Sequence, residues 1–148
     1  MDTTINHAAE GLAQALFDSR SDAILATDRE GLITFWNAGA ERIFGFSPAQ
    51  ALGQSLDIII PENMRGRHWQ GWNHTLETGT SRYGAGDLLS VPALTADGRR
   101  ISVEFTIAMI HDETQTIIGM AAILRDVTAR FEELKTLRRQ LAEAKAGG

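Results

Sequence analysis

IIIPENMRGRHWQGWNHTLETG, Ile58 to Gly79, breaks an apolar run at Pro61 and continues into a segment with two histidines and two tryptophans. Proline disfavours helix in the residue before it and suits the first turn of a helix after it, so the pattern predicts a helix over Glu62 to Thr78. Gly79 is placed to stop it. Along that helix Met64, His68, Trp72 and Leu76, with Thr75 beside them, recur every fourth residue and share one slowly drifting stripe. His68 is therefore expected to face inward among apolar neighbours. His74 lies about 120° away around the helix, at about 100° per residue, and cannot share that direction. An imidazole on a stiff helix above an apolar pocket can serve as a metal ligand, above all for a planar iron cofactor that takes one axial nitrogen and otherwise apolar walls. The plainer alternative is a partly buried histidine whose ring is hydrogen-bonded.

Upstream, Ser47-Pro48-Ala49-Gln50 sets serine at a cap, proline at the first helical position and glutamine where a capping box needs it, and Gly53 closes that short helix. Asn37 can cap a helix over Ala38 to Phe44, which Gly45 ends. Ala23 to Asp28 and Leu32 to Trp36 read as strands of a hairpin joined by Asp28-Arg29-Glu30-Gly31. Before them, Ile5, Ala8, Ala9, Leu12, Leu16 and Phe17 repeat at helical period, predicting an amphipathic helix over Thr4 to Asp18 capped at Thr3 or Thr4. Its apolar face must cover the domain's own sheet or a second copy of the chain.

Downstream, Thr80 to Gly86 is polar and glycine-bearing, a loop expected over the pocket's mouth. Leu88 to Leu94 reads as a strand, and Pro92 inside it points to an edge position or a bulge. Thr95 to Gly98 turns the chain. Arg99 to Ile110 then alternates cleanly, with Ile101, Val103, Phe105, Ile107 and Met109 on one face. His111 falls in a polar turn, expected to be solvated, before a last strand over Thr116 to Asp126. A final helix over Val127 to Ala146, with Thr128 as its cap, carries Val127, Phe131, Leu134, Leu137 or Arg138, Leu141 and Ala144 in a coiled-coil-like stripe of under three heptads. Such a helix pairs with another or packs back on its own sheet.

A chain of 148 residues with 43% hydrophobic content fits one domain with one ordinary core. With 19 acidic and 14 basic residues and no dense basic block before the last helix, nucleic acid is not an expected partner. The absence of cysteine excludes disulfides, thiolate ligands and a catalytic thiol. No apolar run approaches a membrane span and no signal-like amino terminus is present, so a soluble, cytoplasmic protein without membrane contact is expected. The four histidines, at 7, 68, 74 and 111, form no metal-ligand pair, and no phosphate loop or nucleophile elbow occurs, so no catalytic residue is expected.

The order strand, strand, short helices, long helix, three strands, with helices at both ends, resembles the PAS sensory fold. That is an α+β domain in which a five-stranded antiparallel sheet and its helices close a ligand pocket. The local matches are Asp28 to Gly31, Trp36 to Gly45, Gly53 with Ile60-Pro61, Asp97-Gly98-Arg99, and Arg125-Asp126-Val127-Thr128, spanning residues 18–128. The expected organisation is an N-terminal helix over residues 1–18, a sensory domain over 19–128 and a signalling helix over 129–148.

The resemblance implies a sensory module, not an enzyme. Flavin-binding light sensors of this family and the photoactive yellow protein type both need a cysteine, which this chain lacks. Oxygen-sensing heme domains of the FixL and Dos type place an axial histidine on the long helix shortly after a proline. Arg67-His68 following Ile60-Pro61-Glu62 is similar, and the continuation to Gly79 resembles the Dos type. The resemblance thus implies heme b on His68, with His74 as the alternative ligand and Met64, Trp72, Leu76, Leu88, Phe105, Ile107 and Met120 around the ring. Phe105 and Ile107 match distal residues. Where those types carry a distal arginine or methionine this chain offers Asp87, Leu88 or Leu89, and a leucine would forgo a hydrogen bond to oxygen while still admitting carbon monoxide or nitric oxide.

A diatomic gas or redox signal would pass through the last strand and Asp126 to Thr128 into the C-terminal helix. The expected partners are a second copy, in a parallel homodimer through the terminal helices, and a downstream signalling protein or output domain, whether the chain stands alone or is a fragment of a larger sensor. The alternative is a cofactor-free module that binds a small metabolite or serves in dimerisation and protein interaction.

Overall fold

The computed structural model describes residues 3–79 and 89–147. Its frame is the pair of alternating strands at the C-terminal end, β4 (Arg100–His111) and β5 (Ile117–Asp126). Against the other edge of β5 lies β1 (Ala23–Asp28), and β2 (Ile33–Trp36) pairs with β1. β3 (Leu89–Leu94) pairs with β4, completing a five-stranded antiparallel sheet in the order β2-β1-β5-β4-β3. Pro92 therefore stands on an edge strand, as its missing N–H requires.

Register decides what faces inward. Thr27 lies opposite Met120 and Met120 opposite Met109, Leu25 opposite Ala122 and Ala122 opposite Ile107, Ala23 opposite Leu124 and Leu124 opposite Phe105. Side chains directly opposite share a face, so these rows with Val103, Ile101 and Ala93 make one apolar wall. Onto that wall fold α2 (Ala38–Phe44) and α3 (Pro48–Ala51), closing a core in which Trp36, Phe44, Ile33 and Val103 are fully buried. The capping box at Ser47 and Gln50 and the Asn37 cap form as predicted.

Four local expectations need correction. The helix predicted from Glu62 opens as a tight 3-10 turn, Glu62–Met64, because the Met64 N–H donates to the Pro61 carbonyl, and α4 proper is Arg65–Thr78. His111 is the last residue of β4, paired across a bulge with Ile117, although it is exposed as expected. Thr128 does not cap the last helix, α5 (Thr128–Gly147): the Val127 carbonyl takes the Phe131 N–H, and the Thr128 hydroxyl accepts from Ser102 N–H of β4 instead. Nor does α5 pack back on the sheet. Phe131, Leu134, Leu137 and Leu141 are all exposed.

The first helix, α1 (Thr3–Asp18), leaves Leu12 exposed and touches the domain mainly at its end, where the Phe17 ring meets Phe35 edge-on at 5.8 Å. Among the described residues no helix is long and apolar enough to cross a membrane.

Candidate functional site

Helix α4 is held across the hairpin end of β1 and β2 by its two tryptophans. The Trp72 indole N–H donates to the Arg29 carbonyl at 2.8 Å, and Trp69 donates to the Asp57 carboxylate at 2.8 Å. Asp57 sits on a 3-10 helix, Leu56–Ile59, whose own carbonyls receive the other end of α4: Arg65 donates to the Asp57 and Ile60 carbonyls. Beneath Trp69 lies Gly31, at φ 80°, and a Cβ there would stand 2.2 Å from the indole. The turn is thus glycine for two reasons, backbone conformation and the ring that covers it.

This anchoring fixes which way the helix faces. Trp72 and Thr75 are buried, Met64, His68 and Leu76 are half-buried, and His74 is exposed, as the stripe predicts. The Trp72 bond to the Arg29 carbonyl ties that side of α4 to the turn after β1, a strand that carries part of the apolar wall. Of the residues expected around a ligand, Met120 is buried and Phe105 and Ile107 are half-buried on that wall. Leu88 and the loop over Thr80 to Gly86 lie outside the described residues, as does Asp87.

His68 is the unusual group here. Its Nδ1 is buried and has no hydrogen-bond partner. The ring instead meets Trp69 edge-on at 4.6 Å and Trp72 at 6.0 Å. Burial pushes the imidazole below its ordinary value, and the nearby Asp57 charge offsets part of that. A neutral imidazole with an unengaged ring nitrogen is the form that ligates a metal. His68 is partly buried, as the plainer alternative has it, but among the described residues no hydrogen bond to its Nδ1 is found.

Thr27 is the second polar side chain without a partner. It is 3% exposed and its hydroxyl makes no hydrogen bond. Strand alternation after Ala23 and Leu25 would have placed it inward, but a threonine in a strand raises no alarm in a sequence. Asp57 carries no readable signal, since its role depends on a 3-10 helix meeting Trp69 twelve residues later.

Comparison with known proteins places this arrangement. A family model described as the PAS fold matches residues 17–132. The sensor protein FixL of Bradyrhizobium diazoefficiens is 43% identical over 47 residues, covering 32% of this chain and 9% of that protein. The oxygen sensor protein DosP of Escherichia coli is 24% identical over 137 residues, covering 92% of this chain and 17% of that protein. The chain thus spans less than a fifth of either relative. In three dimensions the PAS domain of a Colwellia psychrerythraea protein superposes with a TM-score of 0.71 at 27% identity, covering 82% of this chain and 98% of that one. The five-stranded antiparallel sheet, the helices packed on its inner wall and the match over residues 17–132 make this chain a member of the PAS fold family, a sensory domain related to signalling sensors.

Proposed function

We propose that this domain binds heme b through His68, senses a diatomic gas or a redox change, and relays it through α5. The observation that carries the reading is the buried, unpartnered Nδ1 of an imidazole whose charging is disfavoured by burial, on the half-buried side of α4. The donor set fits the group: one nitrogen from α4, with Met64, Trp72, Leu76, Phe105, Ile107 and Met120 as its surroundings. The likeness to an oxygen sensor over 92% of the chain points the same way. When bound, heme would supply the iron on which a small ligand exchanges or an electron is stored. The chain's own part is to hold His68 in one orientation, through the Trp69–Asp57 and Trp72–Arg29 bonds, and to exclude water with the apolar wall.

Relay has a short route. β4 and β5 carry the wall's residues, and β5 ends at Asp126, whose carboxylate accepts from the Thr128 N–H. At the same point Val127 N–H donates to the Ser102 carbonyl at 2.9 Å, and Ser102 N–H to the Thr128 hydroxyl at 3.0 Å. A shift of β4 against β5 therefore moves the first turn of α5. Its exposed Phe131, Leu134 and Leu141 are suited to a parallel pairing with a second copy and to a downstream output domain.

A second reading has its own observation. Trp69 and Trp72 meet edge-on at 5.5 Å beside His68, and an aromatic cluster of this kind can fill a pocket with no cofactor, leaving a module for a small metabolite or for protein interaction. Visible absorption with and without added hemin separates the two, with His68→Ala as the control. A Soret band that forms in the parent and is lost or displaced in the variant supports the heme reading. No band, or one indifferent to His68, leaves the cofactor-free module.

A further inference from the structure

The apolar wall facing α4 has one polar interruption. Apart from Asp126, exposed at the far end of β5 and bonded to Thr128, every described inward position on the sheet is apolar except Thr27. Its hydroxyl is buried in the row Thr27, Met120, Met109 and lacks any partner. Leaving a hydroxyl dry and unpaired is costly, and a valine would match its shape without that cost. The position is also well defined. Thr27 ends the buried part of β1, two residues before the Arg29 carbonyl to which Trp72 of α4 is bonded. His68 stands one helical turn before Trp72 on α4, and its buried Nδ1 likewise lacks a partner.

We infer that the Thr27 hydroxyl is the hydrogen-bond donor to whatever polar atom is presented on the sheet side of the pocket, opposite His68. The inference rests on the heme reading above, in which that polar atom belongs to a bound diatomic gas. A donor matters most to oxygen, which gathers negative charge on binding, and little to carbon monoxide. Thr27 thereby supplies from β1 the hydrogen bond that a leucine would not, and it suits oxygen as a ligand for a site otherwise lined with hydrocarbon and thioether.

The test compares the parent chain with Thr27→Val and Thr27→Ser, first without cofactor and then loaded with hemin and reduced. Without cofactor, Thr27→Val is expected to leave the thermal midpoint unchanged or raise it by up to about 3 °C, because it removes an unpaired hydroxyl. With hemin, oxygen is expected to leave Thr27→Val roughly 3- to 10-fold faster, carbon monoxide within about 2-fold of the parent, and Thr27→Ser to behave as the parent for both. A midpoint that falls by more than about 3 °C in Thr27→Val would show the hydroxyl already satisfied, by protein or a buried water, and overturn the inference. So would oxygen and carbon monoxide rates that respond alike or not at all, or immediate oxidation in air of parent and variant together. A parent that forms no Soret band with hemin brings down the heme reading and this inference with it. A His68-dependent Soret band with oxygen kinetics indifferent to Thr27 overturns the inference alone.

Discussion

Asn37 and His68 are both polar residues turned into the same domain, and they are treated in opposite ways. Asn37, with no exposed surface, spends every hydrogen-bonding site it has. Its Oδ1 accepts from the Ile24 and Ala40 N–H groups, and its Nδ2 donates to the carbonyls of Leu16, Ser19 and Asp22. One side chain thus ties the end of α1, the start of β1 and the cap of α2 together. His68, at the other end of the inner wall, has a buried nitrogen with nothing to bond, and Thr27 a buried hydroxyl in the same condition. A satisfied polar network specifies one structure, whereas buried polar groups left unsatisfied are a cost that an occupant could offset. The end near Asn37 is built for the fold. The end tied to α4 leaves two polar atoms unsatisfied, and it is there that the proposed ligand would bind.

Substitution at Asn37 should therefore do the most damage. Asn37→Ala takes their side-chain partner from the Leu16 and Asp22 carbonyls and from two N–H groups at once, while the Ser19 carbonyl keeps the Gly39 N–H, and a loss of at least about 3 kcal/mol is expected, read as a fall in the denaturant midpoint. A loss under about 1 kcal/mol would show that the contrast between the two ends is not energetic. The counterpart under α4 is Trp72→Phe, which keeps most of the buried ring and removes the bond to the Arg29 carbonyl. It should cost about 1–2 kcal/mol, and if heme is held as proposed it should also loosen hemin retention, since the turn that carries His68 is no longer pinned. Equal hemin retention in parent and variant would mean that α4 is positioned by other contacts.

The same contrast explains what could be read from the chain beforehand. The Asn37 end is legible because its devices are local: a cap before Ala38, Gly45 after Phe44, and a capping box at Ser47 and Gln50 each sit within a few residues of the helix they serve. The strands of β4 and β5 announce themselves by alternation, and Pro92 by its exclusion from a central strand. The inward phase of α4 was likewise visible in the spacing of His68, Trp72 and Leu76. What the sequence concealed depends on distant residues meeting. Asp57 finds Trp69 and Arg29 finds Trp72 only after the chain has folded, and Thr27 becomes conspicuous only when every neighbour on its face proves apolar. The Thr128 hydroxyl illustrates the same limit, because a cap expected from local sequence is diverted to Ser102 on β4 by the sheet beside it.

A smaller effect should appear in the cofactor-free protein as acid is added. Burial lowers the His68 value in the folded state, so the unfolded chain takes up the proton first and the folded state is disfavoured as the pH falls. The stability this neutral imidazole preserves is fully present above the unfolded value of about 6.5 and is lost as the pH descends toward the lower folded value. His68→Phe should flatten the part of the stability profile below about pH 6.5. A profile that His68→Phe does not alter would mean the ring is solvated in solution, and the site would lose its most telling feature.

The smallest effect is expected back at the well-built end, where Asp22 does two things with two different groups. Its carbonyl accepts from Asn37 at 3.0 Å inside the network, while its carboxylate pairs with Arg125 at 3.1 Å on the surface. The side chains of the pair are 31% and 69% exposed, so water and salt screen the attraction and the ordering of a long arginine opposes it. Asp22→Asn removes the charge and leaves the backbone carbonyl where Asn37 needs it. The expected loss is about 0.5 kcal/mol or less in low salt and nothing measurable in 1 M salt. If Asp22→Asn instead cost as much as Trp72→Phe, and kept that cost in salt, the junction between α1 and β5 would be held by charge as well as by Asn37. The two ends would then differ less in kind than in whether their polar groups had found partners within the chain.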